Sequence, residues 1–262
     1  MRQQMGGVLS DGTVLNQFLK LVCRVPRPWV RDPNFTIVES ARAEATGYSF
    51  PSGHTQNAIG LFGGMARWGG RRWVRLGLTA LALVIAFSRM YLGVHTPADV
   101  GVSLVLAAAL VLGLYPLMRR AQEKPQYMGY VLAAMLVVSG AFVVFVEAYG
   151  FSADTDAENL ASGIGNAWKM LGAVAGMTLA WLLDRRYIHF ETQAVWWVQV
   201  IKVVVGMALL LAIKSGLKAP LLALLGHEGL AGGVRYFLLV LAAGAVWPLV
   251  FRPMSKWGKG KK

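Results

Sequence analysis

The sequence is poor in charged residues and has almost no cysteine. Charged residues make up 15% of the 262 residues, whereas hydrophobic residues make up 56%, and the mean hydropathy is +0.50. Such a composition excludes disorder, and a soluble domain this apolar would expose large hydrophobic patches. The single cysteine, Cys23, excludes an intrachain disulfide and a cysteine-rich metal site. The class of protein that fits this composition is a polytopic membrane protein.

Long apolar runs recur along the chain, and most approach the ~20 residues that a membrane-spanning helix needs. They predict an all-α transmembrane bundle of about seven membrane helices, at about 55–68, 73–87, 97–118, 126–149, 163–183, 194–213 and 230–251. Two pairs of glycines, Gly60 with Gly64 and Gly172 with Gly176, have the spacing that lets helices approach closely in lipid, so we expect both pairs to pack.

Acidic residues are also scarce: 13 Asp and Glu face 26 Lys and Arg, a net charge of +13. The basic residues concentrate in four connecting segments, 67–75, 119–124, 185–186 and 252–262, which the positive-inside rule assigns to the cytoplasm. Segment 151–160 is acidic and is predicted to lie outside, whereas Lys214 and Lys218 make the last outer loop a weaker fit. Topology therefore explains the charge without a nucleic-acid partner.

Three polar clusters lie on the face opposite the basic loops. They are Lys20 with Arg27-Pro28, the tetrapeptide Pro51-Ser52-Gly53-His54, and Ser88-Arg89 followed by His95 and Asp99. Together they supply three fixed cations, two imidazoles and a carboxylate. This set suits a phosphate ester, because phosphoryl transfer without a metal needs preorganised cationic donors around the phosphoryl oxygens.

The residue types suggest a role for each group. Lys20, Arg27 and Arg89 could clamp the phosphate oxygens. Ser52 is placed to cap a helix that starts near Gly53, and a glycine there lets an anion approach the main chain.

The two histidines and the aspartate suggest covalent catalysis. If Pro97 opens a helix, the spacing of four residues puts His95 and Asp99 on one face, with the carboxylate orienting the imidazole as a nucleophile. His54 would then protonate the leaving alkoxide.

At these residues the sequence resembles the type 2 phosphatidic acid phosphatase superfamily, integral membrane lipid phosphatases that share a site design with vanadium haloperoxidases. The motifs stand as KLVCRVPRP from Lys20 to Pro28, PSGH from Pro51 to His54, and SRMYLGVHTPAD from Ser88 to Asp99. The resemblance implies that His95 is the phosphorylated nucleophile, Asp99 its orienting partner and His54 the acid. It also implies that the remaining motif residues bind the phosphate: Lys20, Arg27, Ser52, Gly53 and Arg89. The implied reaction needs no metal or other cofactor.

The resemblance divides the chain into a phosphatase core, 1–118, and a C-terminal membrane-helix extension, 119–262, to which the sequence assigns no chemistry. It implies a hydrolase of lipid metabolism whose partners are a phosphorylated lipid and the bilayer, in a bacterial cell membrane with the active site extracytoplasmic. Family members usually have membrane helices ahead of the first motif, whereas Lys20 lies near the start. Either the chain is truncated or the downstream helices replace that packing.

Two other functions remain open at this point. A lipid phosphotransferase would pass the phosphoryl group from His95 to an alcohol instead of water. A transporter or channel would use Lys169 or Lys202, which lie within apolar runs, but it gives no reason for His95, Asp99 and His54 to occur together.

Overall fold

The computed structural model describes residues 2–68, 71–153, 155–190 and 192–257, and of residues 2–12 the backbone only. Within these ranges the regular structure is helical and contains no strand, which confirms the predicted all-α class. The α-helices are α1 (Arg2–Cys23), α2 (Pro28–Arg31), α3 (Glu39–Arg42), α4 (Gly53–Ala58), α5 (Gly64–Trp68), α6 (Arg72–Tyr91), α7 (Pro97–Glu123), α8 (Pro125–Ala148), α9 (Ala157–Leu183), α10 (Trp196–Gly216), α11 (Lys218–Leu225), α12 (Glu228–Leu241) and α13 (Phe251–Met254). π-Helical turns join α4 to α5 at Ile59–Gly63, follow α9 at Asp184–Ile188 and follow α12 at Ala242–Val246, before a 3-10 turn at Trp247–Val250.

Five helical segments in the described residues are long and apolar enough to cross a membrane: Arg72–Tyr91, Pro97–Glu123, Pro125–Ala148, Trp196–Leu225 and Glu228–Met254. The predicted number of about seven is therefore not confirmed. The run at 55–68 forms only a short helical segment, Gly53–Trp68, interrupted by a π-helical turn. The run at 163–183 lies in α9, where glycines, Asn166 and Lys169 dilute the apolar character.

The chain folds into two compact units, Met1–Ala167 and Trp168–Lys262, which divide within α9. In the first unit α1, α4, α6, α7 and α8 pack against one another. Because α8 packs on α1 and α7, it belongs to this unit. The predicted functional division after residue 118 is a different boundary and stays a prediction.

In the second unit glycines of α9 lie close to the backbone of α12. A Cβ atom added to Gly172 would lie 1.9 Å from the carbonyl oxygen of Gly233, and one added to Gly176 would lie 2.6 Å from that of Phe237. The expected packing role of this pair is confirmed. For Gly64 a close approach is not confirmed: the residue is buried, but a Cβ there would meet no atom of the described residues within 4 Å.

Candidate active site

The start of α7 holds the third motif in place. Thr96 is the N-cap, Pro97 is the first helical residue, and a capping box joins the Thr96 hydroxyl to the backbone N–H of Asp99 and the Asp99 carboxylate to the backbone N–H of Thr96. His95 immediately precedes this cap, and its Nδ1 lies 3.5 Å from Asp99 Oδ2. The predicted approach of the two residues is confirmed.

A serine that the sequence analysis did not select completes the surroundings of the carboxylate. Ser49 Oγ donates to Asp99 Oδ2 at 2.6 Å and lies 3.4 Å from His95 Nδ1. The backbone N–H of Thr96 donates to the same carboxylate oxygen at 2.7 Å. Ser49 and Asp99 are 0% and 2% exposed, so the ion is buried with satisfied acceptors.

Arg27 contacts the opposite side of the His95 ring. Its Nη1 lies 3.0 Å from His95 Nε2 and also donates to the Val94 carbonyl at 2.9 Å. Because a guanidinium only donates, Nε2 must accept, which puts the ring proton on Nδ1, towards Asp99. The guanidinium is fixed by two further carbonyls, those of Gly47 at 2.9 Å and Thr46 at 2.8 Å.

Lys20 lies at the end of α1, and its ammonium donates to the Tyr48 carbonyl. Burial, and after it the positive charge of Arg27, lower the pKa of Lys20 to about 7. Burial likewise lowers the pKa of Arg27 to about 10. Burial lowers the pKa of His95 to about 4, although the contact with Asp99 acts in the opposite direction. The imidazole is therefore neutral at pH 7.

The second motif forms the start of α4. Ser52 is the N-cap, as predicted, with its hydroxyl accepting from Thr55 N–H at 3.4 Å. Its own N–H donates to the Asp99 carbonyl at 3.3 Å, which joins the second motif to the third. Asn16 on α1 fixes the turn by donating to the Pro51 carbonyl at 3.3 Å and to Gln56 Oε1 at 2.9 Å.

These elements enclose a cavity of about 190 Å³ within the first unit. Its lining includes five of the predicted site residues: Lys20, Arg27, Gly53, His54 and His95. The rest of its lining includes polar residues that the sequence did not single out, such as Gln17, Glu44, Asn57, Asn159, Ser162 and Asn166. Of these, Asn166 Nδ2 donates to Gln17 Oε1 at 3.3 Å.

The other three predicted residues are not among the described residues that line the cavity. Asp99 and Ser52 support it from behind, through His95 and the start of α4. Arg89 is close enough to act electrostatically on both Arg27 and His54, and its buried Nε has no hydrogen-bond partner among the described residues.

His54 is exposed at the cavity. The pKa of His54 is lowered, first by partial enclosure and then by the positive charges of Arg89, Arg27 and Lys20. A bound phosphate would offset those charges, so an anion in the cavity favours the protonated imidazole. The cavity thus combines the neutral imidazole of His95, positively charged side chains, and a second imidazole, that of His54, whose protonated form a bound anion would favour.

Comparisons with known proteins agree with the resemblance of the motifs. The PAP2 superfamily model matches residues 5–123, and a model described as the transmembrane extension of PAP2 superfamily phosphatases matches residues 168–259, nearly the whole second unit. Undecaprenyl-diphosphatase BcrC of Bacillus subtilis (strain 168) is 38% identical over 96 residues, covering 37% of this chain and 47% of that protein. The chain thus matches about half the length of this relative. No solved structure matches the chain.

Proposed function

Because the chain belongs to the PAP2 superfamily, we propose that it is a membrane phosphatase that removes the terminal phosphate of a lipid phosphate or diphosphate. The observation that carries this proposal is the orientation of His95. Its Nδ1 faces the Asp99 carboxylate, while Nε2 faces the cavity side beside Arg27. A neutral imidazole held in one tautomer becomes a nucleophile at Nε2 when the Arg27 Nη1 group, which donates to Nε2 in this structure, donates to a phosphoryl oxygen of the substrate instead.

In the proposed reaction Nε2 of His95 attacks phosphorus. The N–P bond forms as the bond from phosphorus to the leaving oxygen breaks, and His54 gives that oxygen a proton. Asp99 stabilises the positive charge that the ring acquires while Nδ1 keeps its proton. In the second half, His54 takes a proton from water as the water oxygen attacks phosphorus, so that phosphate leaves and His95 returns to the neutral state.

The cations supply the electrostatic stabilisation. Lys20 and Arg27 line the cavity, and Arg89 acts electrostatically on Arg27 and His54. Arg27 is held by three carbonyls before any substrate binds, so its guanidinium stays in place while its contact with His95 Nε2 is exchanged for a phosphoryl oxygen. Gly53 leaves space for a phosphoryl oxygen near the main chain. The cavity lining supports phosphate binding by Lys20, Arg27 and Gly53. Arg89 and Ser52 do not line the cavity: Arg89 contributes its positive charge from nearby, and Ser52 shapes the turn at the start of α4.

A polyprenyl diphosphate is the substrate that the similar protein suggests by its name. The cavity of about 190 Å³ is smaller than the ~300 Å³ lower limit of pockets that enclose a drug-sized molecule. It therefore suits a phosphate head group whose hydrocarbon chain remains in the bilayer. Phosphatidic acid and phosphatidylglycerol phosphate present the same terminal group, and a substrate panel would distinguish the three.

The proposed active-site side is extracytoplasmic, because the cavity residues lie opposite the basic loops. In intact cells that carry a Cys23→Ser background, an impermeant thiol reagent should label Ala45→Cys and spare Arg71→Cys. The reverse labelling would overturn this orientation.

The mechanism is tested with detergent-purified protein and radiolabelled lipid phosphate. Rapid quenching should trap an acid-labile, base-stable phosphoenzyme, which His95→Ala abolishes and His189→Asn, a histidine change outside the site, retains. Turnover should survive EDTA. A substrate with a good leaving group should partly rescue His54→Ala but not His95→Ala. Full activity of His95→Ala, or loss of activity to EDTA that a divalent metal restores, would refute the mechanism, and product analysis with an added alcohol would reveal phosphotransfer.

A further inference from the structure

The first turns of α9 form one wall of the cavity at His95. Four residues of this helix line the cavity with the spacing of a single helix face: Asn159, Ser162, Gly163 and Asn166. They belong to the same compact unit as His95, Met1–Ala167. The two family models match residues 5–123 and 168–259, so neither assigns a role to this part of α9.

Direct contacts hold this face of α9 against α1. A Cβ atom added to Gly163 would lie 2.9 Å from Leu21 Cδ2, so the two helices approach closely at this glycine. Further along α9, Asn166 Nδ2 donates to Gln17 Oε1 at 3.3 Å. The position of the wall is therefore fixed by packing and by a hydrogen bond to the helix that carries Lys20.

The side chains of Asn159 and Ser162 offer hydrogen-bond donors at this wall. The Ser162 hydroxyl oxygen lies 3.8 Å from the position of a Cβ atom added to Gly47, and the Gly47 carbonyl holds Arg27. Asn159 lies one turn earlier, where its backbone N–H donates to Asp156 Oδ1 at 2.7 Å. In the part of the chain that the structure describes, no group accepts from the Asn159 amide or from the Ser162 hydroxyl. Both donors are therefore available to a ligand in the cavity.

The chemistry of the leaving group decides what such donors can bind. The terminal phosphoryl group lies against His95, Lys20 and Arg27 in the proposed reaction, and the leaving oxygen departs on the side of phosphorus opposite His95 Nε2. In a lipid phosphate monoester this oxygen carries a carbon atom, which accepts no hydrogen bond. In a lipid diphosphate it carries a second phosphorus, whose unesterified oxygens are strong acceptors for an amide or a hydroxyl.

We propose that Asn159 and Ser162 donate to the inner phosphate of a lipid diphosphate and make the cavity prefer a diphosphate to a phosphate monoester. The inference rests on the proposed function and deepens it by naming the substrate class. It assigns the start of α9 to substrate specificity, whereas the three motifs supply the reacting groups.

The test compares two ligands that the reaction cannot consume, so that binding is measured without turnover. One is the farnesyl ester of methylenediphosphonate, in which a carbon replaces the scissile oxygen, and the other is farnesylphosphonate, which has the same chain and a single phosphoryl group. Calorimetric titration of the full chain in detergent should show tighter binding of the diphosphonate. Asn159→Ala and Ser162→Ala should each weaken diphosphonate binding about fivefold and change the Kd of farnesylphosphonate by less than about twofold.

Asn34→Ala is the matched control, since it removes an exposed asparagine amide of the same unit outside the cavity lining and should bind both ligands like the unaltered protein. Asn159→Asp keeps the shape of the side chain but replaces a donor with a negatively charged acceptor, so it should weaken diphosphonate binding more than Asn159→Ala does.

Three results would overturn the inference: diphosphonate binding that is unchanged in the alanine variants, equal weakening of both ligands, or no preference of the unaltered protein for the diphosphonate. Failure of the proposed function is a separate result. It would be seen as the absence of phosphate release from lipid phosphates and diphosphates by protein that still binds the diphosphonate selectively.

Discussion

Ser49 provides the sharpest test of how the carboxylate of Asp99 controls His95. In Ser49→Ala the carboxylate loses a 2.6 Å hydrogen bond from a fully buried hydroxyl. A buried hydrogen bond to an ionised group contributes about 1.5–3 kcal/mol, so the free energy of unfolding should fall by about 2 kcal/mol. For a chain of this size that corresponds to a melting temperature lower by about 4–8 °C.

The same change should alter catalysis in a defined direction. With one donor fewer, the carboxylate acts more strongly on the imidazole, and the pKa of His95 should rise from about 4 towards its ordinary value. A loss of ~1.4 kcal/mol corresponds to about one pH unit. The acid limb of the pH profile of kcat/KM should therefore move up by about one pH unit, because His95, the proposed nucleophile, must be neutral to attack.

Ser103→Ala is the matched control. Ser103 is also 0% exposed, and its hydroxyl donates at 2.7 Å to the backbone carbonyl of Asp99 instead of the carboxylate. That carbonyl also accepts from the backbone N–H of Ser52, so the change should be nearly neutral and leave the acid limb unmoved. If both variants shift the limb equally, or Ser49→Ala shifts it downwards, the reasoning about Asp99 is refuted.

Three other predictions follow from charge and packing. Since the pKa of Lys20 is lowered to about 7, kcat/KM should decline as the pH rises through 7, and Lys20→Arg should move that decline to higher pH. His95 binds a proton near pH 6.5 in the unfolded state but only at about pH 4 in the folded state. The free energy of unfolding should therefore fall by at most about 3 kcal/mol as the pH drops from 6.5 to about 4. His95→Asn should remove this pH dependence in an unfolding titration. Gly172→Ala should lower the free energy of unfolding by about 1–3 kcal/mol or more, because its Cβ would overlap the Gly233 carbonyl. Gly140→Ala, whose Cβ would meet no described atom within 4 Å, should be neutral or slightly stabilising when both variants are compared by thermal unfolding.

The helical architecture could be predicted from the sequence because hydropathy depends on local composition. All the long apolar runs lie in helices, and Pro97 and Ser52 mark helix starts as expected. The number of spans does not follow from composition in the same way, since α9 mixes apolar residues with small and polar ones. Composition alone does not separate a lipid-facing helix from one that packs on other helices.

The site could be predicted in part, because three motifs name the charged residues that the chemistry needs. The motifs do not predict which groups form hydrogen bonds with these residues. Lys20 and Arg27 bind the carbonyls of Tyr48, Gly47 and Thr46, and backbone carbonyls have no signature in the residue types. Only the fold of the connection between α1 and α4 brings them to the cations.

Ser49 shows where a sequence signal existed but was not decisive. It stands two residues before the second motif, a polar residue between Tyr48 and Phe50, which is equally typical of a surface turn. Its role depends on the distance from its hydroxyl to a carboxylate fifty residues away. In the proposed mechanism that distance matters for the chemistry, because a carboxylate with two other donors, Ser49 and the Thr96 N–H, would orient His95 without taking its proton. In the proposed mechanism the nucleophile is therefore oriented by residues that act on it through Asp99, so that substitutions at Ser49 test this orientation while His95 itself stays in place.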